Sequence, residues 1–249
     1  PIDRSVTGTM RPPQRSRGPW ERSESVTTAG KLFRGNRVTS RMAKRLSTGI
    51  SILDREIEGG LPAGSMVLLS AEPASQSELF LYELTAARPS LYLTTVRSDQ
   101  AVEDAIDAAN TRTGSPTVRD VGGDAPLDRA NRLIGTLPEE ATLIVDVVDA
   151  LERYDRSRYR RFLNELQTVM VNTGGIAILH GLKGQDIPEN RDLTAHVADV
   201  VFDLRTKITN AEVENRLVVP KFRGGKALSE PIKLRLAESV NIDTSRDIA

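Results

Sequence analysis

The residues that bear most directly on chemistry lie in one short loop. Met66–Ser70 is a compact apolar run bounded by turn residues, as a buried strand is, and Leu79–Ala87 reads as a helix. Between them stand Ala71, Glu72, Pro73, Ala74, Ser75, Gln76, Ser77 and Glu78. A strand, a loop of this length and a helix are the setting of a phosphate-binding loop, G-x-x-x-x-G-K-[ST]. Such a loop works by converging backbone N–H groups on an anion at a helix N-terminus. Its lysine bridges the terminal phosphates and its hydroxyl ligates magnesium. Here Ser77 stands where the lysine belongs and Glu78 where the hydroxyl belongs. Two like charges about 4 Å apart cost on the order of 1 to 4 kcal/mol, so Glu78 would oppose a triphosphate. The plainer reading is a tight strand–helix connection. Ser75 or Ser77 would then be the N-cap, with Glu78 favourable in the first helical turn.

Other candidate groups are scattered. Leu143-Ile144-Val145-Asp146 is an apolar run ending in a carboxylate, with Asp149 and Glu152 downstream. A carboxylate at the carboxyl end of a parallel strand faces the ligand crevice of an open α/β sheet. His180 ends another apolar run and reads as a strand-terminal histidine with its hydrogen bonds satisfied, a general base being the alternative. No His/Asp/Glu cluster has metal-ligand spacing, and the sequence places no Ser-His-Asp arrangement. Lys221-Phe222-Arg223-Gly224-Gly225-Lys226 is a basic segment near the end.

The segment Ser47-Thr48-Gly49, then Leu53-Asp54, then Gly59-Gly60-Leu61-Pro62-Ala63-Gly64 resembles the lead-in to the ATPase core of the RecA superfamily, in its KaiC, archaeal RadA and GvpD branch. That branch continues G-x-P-G-S-G-K-T; Pro73 and Ser75 match it, whereas Ala74 and Gln76 replace glycines. Within the branch the chain is similar to short haloarchaeal KaiC-like proteins, sometimes labelled transducer-like (HTR-like), which carry a Pro-Ala-Ser-Gln-Ser-Glu loop. The resemblance runs from Leu46 to the C-terminus. It implies a three-layer α/β RecA-like (P-loop NTPase) domain with a mostly parallel sheet and a C-terminal antiparallel hairpin. It also implies roles. Asp146 matches the Walker B carboxylate. Val96 and Arg97 occupy the positions of a glutamate pair that prepares water for attack, and neither acts as a general base at neutral pH. Lys221 and Arg223 match a K-x-R-G segment by which such subunits reach a neighbour's phosphate. A solvated basic loop is the alternative for them.

The pattern of elements agrees with that fold class. Leu91–Thr95 reads as a strand and Ser98 opens a helix through Ala109, with Val102, Ala105, Ile106 and Ala109 on one face. Thr117–Val121 is a strand, Pro126 starts a helix through Leu137, and Ala141–Val148 is a strand. Tyr159–Val171 carries a helical stripe ended by Gly174-Gly175, and Ile176–His180 follows as a strand. Val200–Ile208 and Val213–Val219 flank a hairpin turn, and Ile232–Leu236 and Val240–Ile242 read as short strands. Strands alternating with helices imply a parallel sheet covered on both faces.

Composition bounds the rest. The 249 residues suit one domain of about 200 residues and an appendage. Residues 1–45 hold 11 Lys/Arg against 3 Asp/Glu, and residues 46–249 hold 23 against 31. The first stretch, with no apolar periodicity, is expected to be a disordered basic extension, a nucleic-acid arm being the functional alternative. The acidic remainder argues against broad DNA binding, which needs a basic face. Zero cysteines exclude a disulfide framework, and no apolar run approaches a membrane span. The expected protein is cytoplasmic, uses no cofactor, and acts without catalysis in regulation or signalling, through contacts with a protein partner or RecA-like subunits. The alternatives are an ATPase that takes ATP and magnesium through a remodelled loop, and a RadA-paralogue-type DNA repair accessory.

Overall fold

The computed structural model describes residues 44–208, 213–236 and 240–242. The chain opens with β1 (Arg45–Leu46), α1 (Ser51–Glu56) and β2 (Leu61–Pro62), and β1 and β2 pair as a small antiparallel ribbon. Next come β3 (Met66–Ala71), α2 (Ser77–Leu84) with a 3-10 turn over Thr85–Ala87, β4 (Ser90–Thr94), α3 (Asp99–Ala108) and β5 (Thr117–Asp120). They are followed by α4 (Pro126–Ile134), β6 (Thr142–Asp146), α5 (Asp149–Glu152), α6 (Arg156–Thr173), β7 (Ile176–Leu182) and α7 (Arg191–Val197). The chain closes with β8 (Val200–Ile208), β9 (Val213–Phe222), β10 (Ile232–Leu236) and β11 (Val240–Ile242).

Nine strands form the main sheet in the order β11-β10-β9-β8-β3-β7-β6-β4-β5. From β8 to β5 every pairing is parallel, and β9, β10 and β11 add antiparallel strands at one side. The alternation of side chains builds the layers. Tyr92, Ile144, Ile176 and Ile178 face a core with α1, α2 and α3, including Leu53, Phe80 and Val102. Their neighbours Leu91, Leu93, Leu143, Val145, Ala177 and Leu179 face a second core with α4, α5 and α6, including Leu127, Phe162 and Met170. The parallel strands are therefore apolar on both faces, which is why they read as continuous hydrophobic runs. The three-layer α/β fold expected from the sequence is the observed one.

Local chemistry explains the element boundaries. Ser98 caps α3 by accepting from the Ala101 N–H at 3.2 Å, and Asp155 caps α6 by accepting from Ser157 N–H and Arg158 N–H. Gly174 ends α6 in the left-handed region at φ 65°. The helix opening after the β3 loop is different. Gln76 occupies its N-cap position with no side-chain cap bond, while Ser75 is tied to the Glu72 carbonyl and Ser77 turns elsewhere. The helices α1, α5 and α7 are short, and the sequence pattern did not announce them.

The lead-in motif has a structural purpose. Asp54 Oδ1 accepts from both the Thr48 N–H and the Thr48 hydroxyl at 2.7 Å, and Oδ2 accepts from Ser47. Arg45 donates to the carbonyls of Gly60 and Gly224 and lies over the Phe222 ring, tying the ribbon to the end of β9. Lys44 pairs with Glu140. These two residues, assigned by sequence to the basic extension, thus belong to the folded part. The remainder of that expectation, and the hairpin turn at 209–212, lie outside the described residues. Among the described residues no helix is long and apolar enough to cross a membrane.

Gly60 has φ 112°, and a Cβ there would lie 2.2 Å from the Leu46 carbonyl oxygen, whereas a Cβ on Gly59, at φ 101°, would meet open space. Gly59→Ala should therefore cost about 1 kcal/mol of backbone strain, and Gly60→Ala distinctly more, by urea denaturation.

Candidate functional site

The carboxyl ends of β3, β7, β6 and β4 converge on one crevice, the position where open parallel sheets bind ligands. A pocket of about 170 Å³ opens there, with Ser77, Asp146, His180, Arg97 and Glu78 in its lining and Pro73, Val96, Val147 and Leu182 as apolar walls. The strand order explains the convergence. Asp146 and His180 are register partners on β6 and β7, and Leu69 of β3 pairs with His180, so the loop after β3 descends onto the histidine. The Asp146–Val147 peptide bond is cis.

Asp146 is the hub. Its Oδ1 lies 2.8 Å from His180 Nδ1, and its Oδ2 accepts from the Tyr92 hydroxyl at 2.6 Å and from Arg97 Nη2 at 2.9 Å. Arg97 is held from its other side by the Tyr82 hydroxyl at 3.1 Å. His180 Nε2 faces Ser77 Oγ at 3.1 Å. Relative exposures of 6% for Asp146, 2% for His180 and 3% for Ser77 put the network out of bulk water. Burial opposes charge on Asp146. The hydrogen bond and charge of His180, the Tyr92 hydroxyl and the Arg97 charge outweigh it and hold the carboxyl below its ordinary range. Burial and the adjacent Asp146 charge push the Tyr92 hydroxyl well above its usual value, so it stays a donor. Because an ionised carboxylate only accepts, His180 must carry its proton on Nδ1. In its neutral form His180 then presents the Nε2 lone pair to the Ser77 hydroxyl.

The structure sorts the sequence candidates. Ala71 ends β3 and is buried, and Glu72, Pro73, Ala74 and Gln76 form the turn, with the Glu72 carbonyl accepting from both the Ser75 N–H and the Ser75 hydroxyl. Ser77 is the first residue of α2, and Glu78 follows it in the first turn and lines the pocket. Val96 is exposed on the rim, and its neighbour Arg97 reaches inward to Asp146. Asp149 and Glu152 serve structure: Asp149 accepts from the Leu182 N–H, and both carboxylates pair with Arg191, whose guanidinium crosses over Gly181.

Two expectations are corrected. The sequence placed no Ser-His-Asp arrangement, yet Ser77, His180 and Asp146 meet in hydrogen-bond contact. Neither Ser75 nor Ser77 acts as the N-cap of α2. Tyr92 was missed because a tyrosine inside an apolar strand reads as core. The available signal for the triad was that Asp146 and His180 each end an apolar strand; which strands are neighbours is decided only by the fold.

Lys221 and Arg223 sit at the end of β9 and just beyond, not in the pocket lining. Lys221 Nζ donates to the Ala195 and His196 carbonyls, both at 2.8 Å. Arg223 donates to the carbonyls of Val197 and His196 and to Asp199. Together they satisfy the terminal carbonyls of α7 and complement its dipole. Partial burial and then the Arg223 charge lower the Lys221 value.

The three-layer α/β fold is shared with a solved KaiC-like protein. The KaiC-like protein of the hyperthermophilic archaeon Pyrococcus horikoshii OT3 superposes with a TM-score of 0.66 at 17% identity, covering 81% of this chain and 99% of that one. Residues 45–249 match the model of a family of unknown function, DUF7125, and the chain belongs to that family. No curated protein sequence matches it.

Removing the Asp146 charge should leave Arg97 without its carboxylate. Asp146→Asn is expected to cost about 2 kcal/mol in urea denaturation, less than breaking a fully buried pair because Arg97 is partly exposed. A depressed carboxyl contributes stability that is complete above its ordinary value of 3.8 and is lost as pH falls further, through its folded value. The acid limb of the wild-type stability curve should therefore be steeper below that pH than the limb of Asp146→Asn. Lys221→Ala and Arg223→Ala should each cost about 1 kcal/mol, through the uncapped end of α7.

Proposed function

We propose that this chain is a KaiC-like protein that does not use ATP at this crevice and acts in regulation or signalling through protein–protein contacts. The observation that carries the reading is the occupancy of the Asp146 carboxylate. A magnesium-side carboxylate needs a free oxygen for the ion or its waters. Here Arg97, Tyr92 and His180 take up both oxygens. Arg97 brings a fixed positive charge against the same carboxylate. Ser77 supplies no cation for a terminal phosphate, and Glu78 brings a negative charge to the pocket wall. The residues present therefore do not fit ATP and magnesium, and no step is derived through them.

The Pro73-Ala74-Ser75-Gln76-Ser77-Glu78 loop supports placing the chain with the short haloarchaeal transducer-like proteins, and with them in the cytoplasm. The partner surface this reading favours is a shared interface with a RecA-like subunit. Lys221 and Arg223 would then have two duties, capping α7 and reaching a neighbour's phosphate. An arginine supplied in trans accelerates phosphoryl transfer by orders of magnitude, far beyond the effect of a helix cap.

Calorimetric titration with ATP and magnesium, at high and low salt, is expected to give no binding at micromolar concentrations; micromolar affinity would replace this reading with a remodelled ATPase. For the interface, Arg223→Ala should reduce stimulation of a captured RecA-like partner's ATPase at least about tenfold. Stimulation by the folded variant equal to wild type would remove the shared-site role and leave a scaffold.

A further inference from the structure

The hydrogen-bond order in the crevice suits a second kind of chemistry. We propose that Ser77, His180 and Asp146 form a nucleophile–base–carboxylate relay, and that the chain transfers acyl groups from small uncharged esters or thioesters to water.

The geometry meets the requirements one by one. A serine nucleophile needs a base within hydrogen-bond reach and a third group that orients the base. Ser77 Oγ lies 3.1 Å from His180 Nε2, and His180 Nδ1 lies 2.8 Å from Asp146 Oδ1. The tautomer follows from Asp146, which accepts from the imidazole and leaves Nε2 free to take the serine proton. Arg97 and Tyr92 hold the far oxygen of the same carboxylate, so the carboxylate cannot swing away from the ring. Asp146 is thereby a positioning residue.

The surroundings agree. Ser77 opens a helix directly after the central strand β3, so its backbone lies in a strand–turn–helix connection at the carboxyl edge of the sheet. The Leu79 N–H bonds the Gln76 carbonyl, which leaves the N–H groups of Ser77 and Glu78 at the start of α2 as the donors for charge developing on a carbonyl oxygen. The serine borders the pocket of about 170 Å³, which shares Pro73, Val96, Val147 and Leu182 with a wider groove of about 510 Å³. A site that only filled space would need no such opening.

The walls define the substrate class. Val96, Val147, Leu182 and Pro73 suit a compact apolar acyl group, and Glu78 on the wall disfavours an anionic one. Ser77 Oγ attacks the carbonyl carbon and its proton passes to His180 Nε2. The tetrahedral adduct collapses, the carbon–oxygen or carbon–sulfur bond to the leaving group breaks, and that group takes the proton from Nε2. Water then attacks the acyl-serine with His180 again as base, releasing the carboxylic acid and restoring Ser77. No oxidant or metal enters either half-reaction.

The inference concerns the same crevice as the proposed function but does not depend on nucleotide: ATP binding in calorimetry would overturn the earlier reading alone. Its test is covalent. Purified full-length chain is treated with an alkyl fluorophosphonate, whose fluoride is displaced by an activated serine, and the adduct is mapped by peptide mass spectrometry. Hydrolysis of p-nitrophenyl acetate, butyrate and octanoate is followed in parallel. The expected result is a single adduct on Ser77, forming at least about a hundredfold more slowly in His180→Ala, with ester turnover favouring the short acyl chains and lost in Ser77→Ala. The wild-type adduct needs no variant to fold. Its absence, its formation at an unchanged rate in His180→Ala, no wild-type ester turnover, or turnover that survives Ser77→Ala would each overturn the relay.

Discussion

A buried carboxylate must be compensated, and much of the crevice is organised around compensating Asp146. Taking such a charge out of water costs several kcal/mol, returned only when its lone pairs meet well-placed donors. The donors come from separate elements: Tyr92 from β4, His180 from β7 and Arg97 from the segment before α3. Each brings a different part of the chain to the end of β6. Ser77 joins through His180 and so ties in α2. One charge thus links the carboxyl ends of four neighbouring strands, and a single chain of hydrogen bonds joins Ser77, His180, Asp146, Tyr92 and Arg97.

A second buried pair stabilises the adjoining edge in the same way. Glu152 is fully buried and is held by Arg191 and by Thr194, while Arg191 also donates to the Leu182 carbonyl. Tyr159 of α6 bonds to Thr194 at 2.8 Å. Burial pushes the Glu152 carboxyl up, against the pull of Thr194 and Arg191. This cluster sits behind the wider groove rather than in it, and it anchors α5, α6 and α7 to β7. Short helices such as α7 have little intrinsic stability and depend on such contacts. Lys221 and Arg223 finish the same helix from the other end.

In a nucleotide-binding RecA-like domain the crevice is shaped around phosphate and metal charge. Here the chain supplies both signs itself, with Arg97 as the cation and Asp146 as the anion. The opposite charges of Arg97 and Asp146 thus compensate one another at the end of β6. A low-dielectric environment strengthens hydrogen bonds among fixed dipoles such as these. The fold alone does not choose among functions; the side chains at the strand ends do.

The layers were legible from local patterns along the chain. Apolar runs at β3, β6 and β7, the capping serine of α3 and Gly174 after α6 each specify an element through local physics, because strand burial and helix capping depend on neighbouring residues. The lead-in from Ser47 to Gly64 was legible as a motif, since Asp54 and Gly60 serve contacts that few other residues could make. A start at Leu46 leaves out Lys44 and Arg45, whose long-range bonds leave no local pattern. The site was legible only in pieces: Asp146, His180 and the loop through Ser77 and Glu78 stood out singly, and Tyr92 not at all. Tertiary structure decided their meeting. Sheet order places β7 between β3 and β6, and that adjacency arises from packing across 100 residues of chain, which no local periodicity encodes.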